Sequence, residues 1–260
     1  MNTGYAGSTD LQYEEILPAS AIHHAVAFTH IGNVRTRNED RYLIEELDDE
    51  SWLLAVADGL GGETGGDVAA ELAISALKEI RVAGLDGREQ LIRAVSRANK
   101  AIMRRVLDNM DLVGMGTTIT AALVTQGKAV WVHVGDSRLY LLRGSELAQI
   151  TRDHTLVQFL LDEGEITPEE ALSHHAKHVL DQCVGCRYCA PESGQVPLQD
   201  GDVLVLMTDG LHDHMDPEIL KSFLISRDPL KTKGENLMET ALSAGGRDNI
   251  TIVLAEIHRV

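Results

Sequence analysis

The chain has 260 residues, with 23 Lys and Arg against 40 Asp and Glu and a formal charge of −17. At about 150 residues per domain, that length suits two domains or one large one, and it can bury a core without disulfide or metal staples. The acidity excludes a nucleic-acid partner, whose affinity would come from Lys and Arg displacing counterions, and 44% hydrophobic residues exclude wholesale disorder.

Residues 1–20 are polar and without period, so 1–22 reads as a flexible lead-in to one domain over 23–260. No basic residue precedes Arg35, and no apolar run approaches the ~18 residues of a membrane span. Three cysteines crowd into one stretch instead of forming a spread disulfide framework. These features predict a soluble cytoplasmic protein, read as a monomer without membrane contacts.

Short β-branched runs predict strands at 24–30, 40–46 and 51–57. A helix is expected over 66–80, with Val68, Leu72, Ala76 and Ile80 on one face. A second spans 88–109, its stripe of Leu91, Val95, Ala98, Ile102 and Val106 lying opposite Arg93, Lys100 and Arg104. Strands recur at 117–125, 128–134 and 137–143, with Gln126-Gly127 and Gly135-Asp136 read as hairpin turns. Weaker helical segments cover 154–163 and 168–173, the latter behind the capping sequence Thr167-Pro168-Glu169-Glu170. A strand at 203–208, helices at 217–225 and 234–243 and a strand at 249–256 complete the chain. Clustered hairpins and paired helices predict an α+β domain with antiparallel sheet, not a βαβ alternation.

One pattern recurs at strand ends. Apolar runs lead into Asp58-Gly59, Gly135-Asp136 and Asp209-Gly210, Asp248-Asn249 precedes the last strand, and Glu39-Asp40 opens another. A single Asp-Gly is an ordinary turn. If these strands lie side by side, however, their carboxylates converge, and each like-charged pair at ~4 Å would cost about 4 kcal/mol at an effective dielectric of ~20. Bound cations would relieve that, and an all-oxygen set selects Mg²⁺ or Mn²⁺. Arg35, just upstream of the acidic pair, suits bidentate capture of a phosphoryl group, whereas Arg37 reads as a solvated strand-end residue. There is no Walker Gly-Lys-Ser/Thr loop, no HExxH and no paired CxxC. An aspartate-nucleophile phosphatase of the haloacid dehalogenase type would need an Asp-x-Asp motif, which Ala57-Asp58-Gly59-Leu60 does not supply.

The segments Val34-Arg35-Thr36-Arg37-Asn38-Glu39-Asp40, Val56-Ala57-Asp58-Gly59-Leu60-Gly61-Gly62, Gly114-Met115-Gly116-Thr117-Thr118, Gly135-Asp136-Ser137-Arg138, Thr208-Asp209-Gly210 and Gly246-Arg247-Asp248-Asn249 resemble the metal-dependent Ser/Thr protein phosphatases. This is the PPM or protein phosphatase 2C family, in its bacterial branch, and the motifs cover 25–256 in the family's order. The resemblance implies a four-layer αββα sandwich, two central antiparallel sheets flanked by helix pairs, with a flap subdomain over about 152–190. It implies hydrolysis of phosphoserine and phosphothreonine in proteins, opposing a bacterial Ser/Thr kinase, by a water activated between two Mn²⁺ or Mg²⁺ ions. Asp58 would bridge both ions, the Gly59 carbonyl would join the first, and Asp209 and Asp248 would hold the second. Glu39 and Asp40 would act through coordinated waters, Arg35 would bind the substrate phosphate, and Asp136 would help hold a third ion. The presence of these ligands weighs against a pseudo-enzyme that only binds or senses.

Some features depart from that pattern. Leu60 stands where animal members carry a histidine acid, so the leaving-group proton would come from a metal-bound water. His154, at the flap start, is a second acid candidate alongside a capping or packing role. His178 is a candidate ligand near the third ion, and Asn249 a further site candidate beside Asp248. Cys183, Cys186 and Cys189 read as free thiols on a loop, with a metal set or a redox-sensitive disulfide as alternatives. His212-Asp213-His214 reads as a solvated or supporting segment beside Asp209.

Overall fold

Six consecutive apolar residues, Trp52–Ala57, are all buried, so that strand must be covered on both faces. The computed structural model describes residues 10–16, 22–47, 51–61, 65–81, 86–125, 127–213 and 215–257. In chain order it begins with β1 (Leu11–Ile16), β2 (Ile22–His30), β3 (Arg41–Glu46), β4 (Trp52–Ala57), the two-residue β5 (Gly59–Leu60), α1 (Gly66–Lys78) and α2 (Gly87–Asp108). Then come β6 (Gly116–Thr117), β7 (Ile119–Thr125), β8 (Lys128–Val134), β9 (Arg138–Arg143), β10 (Glu146–Gln149), α3 (Leu156–Asp162) and α4 (Pro168–Leu172). The chain continues through β11 (Glu192–Pro197), β12 (Val203–Met207), α5 (Asp209–His212), α6 (Pro217–Leu224), α7 (Leu230–Ser243) and β13 (Ile250–Ile257).

The period of two decides the layers. Trp52, Leu54 and Val56 of β4 face Ala25 and Ala27 of β2, Leu204 and Leu206 of β12 and Val253 of β13 between the sheets. Leu53, Ala55 and Ala57, one residue out of phase, face Ala70, Ala73 and Leu77 of α1 and Leu91, Val95 and Ala98 of α2. On the far side Phe28, Val205 and Leu254 pack under Leu220 of α6 and Leu237 and Ala241 of α7. The result is helices, sheet, sheet, helices: the expected four-layer αββα sandwich. One sheet has the order β11-β8-β7-β4-β3, the other β1-β2-β13-β12-β9-β10, both antiparallel throughout, with β5 and β6 forming a small ribbon.

Several expectations need correcting. The lead-in is not structureless over its described part, because β1 pairs along β2 from Leu11 opposite His30 to Ile16 opposite Ala25. It was hidden because an edge strand is half exposed and carries polar residues on both faces. β10 and β11 escaped for the same reason. Gly135-Asp136 is not a hairpin, since β8 and β9 belong to different sheets and the chain crosses between them there. The expected strand at 117–125 breaks at Thr118 into β6 and β7. Of the face expected on α1, Ala76 and Ile80 are buried, while Val68 and Leu72 are only half-buried, because the helix turns Ala69, Ala70, Ala73, Ile74 and Leu77 to the sheet, where alanines let it lie close. The helix placed at 234–243 starts at Leu230, its first turn masked by Lys231, Lys233 and Gly234. Gln126, Gly62 and His214 lie outside the described residues.

Between β10 and β11 the chain leaves both sheets and carries α3 and α4, the second opened by the expected capping box of Thr167 and Glu170. One isolated bridge, Thr155 with Leu180, closes this excursion on itself, and a second, Thr117 with Val184, ties it to the body.

Candidate active site

The strand ends meet. Asp58 follows β4, Asp209 follows β12 as the first residue of α5, Asp136 stands where the chain crosses from β8 to β9, and Asp248 and Glu39 lie just before β13 and β3. A cavity of about 170 Å³ is lined by Arg35, Glu39, Asp58, Gly59, Asp136, His178, Asp209 and Asp248. A larger cleft of about 600 Å³, between β1 and β3, takes in Asp40, Arg41 and Lys78 but lacks that convergence of carboxylates. The chemistry belongs to the smaller cavity.

Crowded, buried carboxylates resist ionisation. Burial first, then the neighbouring Asp209, Asp40, Asp136 and Asp248, raises the Asp58 pKa well above the usual carboxylate range. Burial and then Asp209 and Asp153 do the same to Asp136. Asp40 and Asp209 are each raised to about 7, again chiefly by burial. Asp209 accepts a side-chain hydrogen bond from Asp58, which requires a proton between two acids. Asp40 Oδ1 and Asp209 Oδ1 are buried without any hydrogen-bond partner. Protons and orphaned oxygens held together in this way mark a place built for positive charge.

Supporting contacts fix the backbone. Thr118 N and Thr117 Oγ1 each donate to Asp58 O at 2.8 Å, and Asp58 N donates to Thr118 Oγ1 at 2.9 Å. A Cβ at Gly59 would collide with Gly66 O and stand 2.8 Å from Glu39 O, so only glycine lets β5, α1 and the acidic pair close on one another. Thr208 Oγ1 donates to Asp40 Oδ2 at 2.9 Å. Asn249 Oδ1 accepts from Glu39 N at 2.8 Å, while its Nδ2 donates to Ile31 O and Arg37 O. Asn249 therefore holds the loop that carries Arg35 and does not line the cavity. Arg138 binds Asp153 through Nε and Nη2, at 3.0 and 2.7 Å, beside the Asp136 crossing.

The histidines divide. His154 is not among the cavity's lining residues: its Nδ1 accepts from Gly135 N at 3.2 Å and its ring lies 4.6 Å from that of His133, which is a packing role. His178 does line the cavity, and its Nδ1 donates to Asp213 Oδ2 at 2.8 Å. His178, Asp209 and Asp213 bring donor atoms within 4.8 Å of one another, the one such group among the described residues. Sequence reasoning had not singled out Asp213 as a ligand candidate, and only its closeness to Asp209 signalled it. His212 is not solvated: its side chain is 5% exposed, Nε2 donates to Asp136 O at 3.1 Å, and burial lowers its pKa to about 3. The thiols are not all free. Cys183 and Cys186 form a disulfide, Cys189 is the free cysteine, and no cysteine takes part in a metal-ligand group among the described residues.

A family model described as protein phosphatase 2C matches residues 29–251. The chain belongs to the protein phosphatase 2C family. It is 38% identical over 240 residues to the serine/threonine phosphatase Stp of Listeria monocytogenes, covering 90% of this chain and 95% of that one. It is 41% identical to the serine/threonine protein phosphatase PstP of Mycobacterium tuberculosis over 87% of this chain, although that match spans 43% of the longer relative. The crystal structure of the M. tuberculosis phosphatase superposes with a TM-score of 0.81 at 37% identity, over 96% of this chain and 99% of that one. The catalytic domain of a serine/threonine protein phosphatase PstP has also been solved with two manganese ions, matching at a TM-score of 0.78 and 36% identity over 96% of this chain and 99% of that one.

Membership in the protein phosphatase 2C family makes the chain a metal-dependent serine/threonine protein phosphatase of bacterial type. The donor chemistry fits that dependence. Every carboxylate lining the cavity offers oxygen, the ligand type hard divalent cations require, and one of those oxygens, Asp209 Oδ1, is buried without any other partner. No helix of the described residues is long and apolar enough to cross a membrane.

Proposed function

We propose that the 170 Å³ cavity hydrolyses phosphoserine and phosphothreonine esters through divalent cations held by Asp58, Asp209, Asp248 and the Gly59 carbonyl. Glu39 and Asp40 act through intervening waters. The observation that carries this reading is a buried, partnerless oxygen, Asp209 Oδ1, among cavity-lining acids that repel one another. When bound, such ions supply a water of lowered pKa and screen charge on the phosphoryl group.

The chain's own residues do the remaining work. Asp58 and Asp209 give up their protons and become the ligands whose repulsion the cations relieve. Arg35, with a half-exposed guanidinium at the cavity rim, captures the phosphoryl oxygens in bidentate fashion. Thr117 and Thr118 hold the Asp58 backbone still while the site loads. Asp136, with His178, Asp209 and Asp213 alongside, offers a place for a third ion. Mn²⁺ or Mg²⁺ serves in this reading, since the oxygen donors suit either ion. The protein acts as a cytoplasmic monomer on proteins phosphorylated by a bacterial Ser/Thr kinase.

The test is hydrolysis of an aryl phosphate and of a phosphothreonine peptide with Mn²⁺, with Mg²⁺ and after chelation, alongside Asp58→Asn. Activity that survives chelation or the substitution rejects the metal reading. Calorimetric stoichiometry of Mn²⁺ decides between two ions and three.

A further inference from the structure

Cys183 and Cys186, three positions apart, are joined by a disulfide with their Cα atoms 5.2 Å apart. So short a loop removes little entropy from the unfolded chain, which makes it a poor staple. Cys-x-x-Cys is, however, a spacing that favours thiol–disulfide exchange. What the bond does hold is one turn. Val184, between the two sulfurs, is fully buried and bridges Thr117 in both directions, with Thr117 N donating to Val184 O at 2.9 Å and Val184 N to Thr117 O at 2.8 Å. Thr117 Oγ1 then donates to the Asp58 carbonyl. The disulfide turn is thus linked, through the Val184–Thr117 bridge and the Thr117 hydroxyl, to the backbone carbonyl of the cavity-lining Asp58.

The packing leaves that turn no slack. A Cβ on Gly116 would lie 2.7 Å from Cys183 Sγ and 3.5 Å from Cys186 Sγ, so β6 runs flat against the bond. Two reduced sulfurs must separate from the ~2.05 Å of a disulfide to van der Waals contact. Cys183 is 1% exposed and cannot swing to solvent, so the added width falls on the half-buried Cys186 and on the Gly116 backbone beside both sulfurs.

We propose that Cys183 and Cys186 are a thiol–disulfide site whose oxidation state sets how firmly Asp58 is held for its divalent cation. This rests on the metal-dependent reading above. In the reductive direction, a thiolate of a dithiol attacks the half-buried Cys186 sulfur and expels the Cys183 thiolate, which takes up a proton. The second thiol of that reagent then displaces Cys186, leaving two protein thiols and one reagent disulfide. Cys189 packs against the helix-side core, and its burial pushes the thiol up to about 11, so it is not the attacking group.

The experiment compares the full chain as oxidised protein, after dithiothreitol and desalting under nitrogen, and as Cys183→Ser/Cys186→Ser and Cys189→Ser. Alkylation and mass spectrometry are expected to count one free thiol in the oxidised form and three in the reduced form. Calorimetry is expected to find Mn²⁺ bound on the order of tenfold more weakly after reduction, the low end for loss of an outer support of a metal ligand. The double variant should match the reduced protein and ignore dithiothreitol, while Cys189→Ser keeps the full response. If the double variant does not fold, Cys186→Ala serves the same comparison. Equal Mn²⁺ affinity in both oxidation states overturns the proposal, as do three alkylatable thiols in protein treated with oxidised glutathione. If no form hydrolyses an aryl phosphate, the phosphatase reading fails instead, and calorimetry still decides the switch.

Discussion

Arg35 donates from Nη2 to Asp248 Oδ2 at 2.6 Å across the rim of the cavity. The two side chains are 47% and 34% exposed, so solvent screening leaves the pair worth no more than about 1 kcal/mol, and it can be exchanged for better partners. A cation gives Asp248 such a partner, and a phosphate monoester gives Arg35 another. The same contact turns one Asp248 oxygen toward the guanidinium, while Asp58, Asp209 and Asp248 all line one cavity.

Arg35→Ala is therefore expected to raise KM for an aryl phosphate about tenfold, a loss of ~1.4 kcal/mol in binding. Mn²⁺ affinity should stay equal or tighten, because Asp248 loses a competitor. Steady-state kinetics paired with calorimetry checks both. Weaker Mn²⁺ binding would mean that Arg35 organises the ligands and does not serve the phosphate.

Asp58 is the acid most crowded by others, with Asp209, Asp40, Asp136 and Asp248 all raising its pKa after burial itself. Asp58→Asn should lower kcat by at least about 10³-fold, or ~4 kcal/mol in the barrier. The metal-free variant should melt higher than the metal-free parent near neutral pH, since it no longer carries a buried carboxyl that has to hold a proton in order to fold. Its Tm should no longer rise with Mn²⁺. Thermal scans with and without the ion separate these effects, and a variant that still gains stability from Mn²⁺ would place the principal site elsewhere.

Much of this site was legible before any coordinates, because its residues stand where strands stop. Asp58, Asp209 and Asp136 each interrupt an apolar run, and a buried run cannot end in a carboxylate without a reason. The runs themselves predict only an α+β domain with antiparallel sheet; the four-layer sandwich is what the resemblance to the phosphatase family implies, and Trp52–Ala57, buried on both faces, fits it. What stayed hidden was set by contacts across the chain. β1, β10 and β11 are polar edges whose pairing depends on the neighbouring strand and not on their own period. Thr117 stands in a family segment and Asp213 in one read as supporting Asp209, but their roles come from Asp58 and His178 being brought to them. The Cys183–Cys186 pairing likewise depended on a turn pressed against Gly116.

The shifted acids predict a pH dependence of the metal-free protein. Asp40 and Asp209 titrate near 7 in the folded chain, against about 4 when unfolded. An acid raised in this way stabilises the fold while protonated, in full below about pH 4, and that contribution is lost as pH climbs through about 7. Tm without metal should fall between pH 5 and pH 8, and saturating Mn²⁺ should flatten the profile as cations replace the protons. Mn²⁺ binding should tighten over the same interval and release protons, read as a buffer-dependent calorimetric enthalpy. A metal-free Tm independent of pH would show that these acids stay ionised.

Asn249 makes the last case, because all its polar capacity goes to one loop. Its Oδ1 accepts from Glu39 N at 2.8 Å, and its Nδ2 donates to Ile31 O at 2.9 Å and Arg37 O at 2.8 Å, with the residue 5% exposed. Asn249→Ala would orphan three backbone groups, for a loss of about 3 kcal/mol in denaturant-measured stability. Asn249→Asp should be worse than alanine. It keeps the acceptor for Glu39 N but turns an acceptor toward two carbonyls and adds a charge beside Asp248. Because the freed loop carries Arg35, KM for an aryl phosphate should rise more than kcat falls. The base of the loop has its own ties, Asn33 N donating to Gly246 O at 2.6 Å and Asn33 Nδ2 to Leu242 O at 2.9 Å. An alanine variant with unchanged KM would mean that these ties alone position Arg35, and the double variant with Asn33→Ala would then be the one to lose phosphate binding.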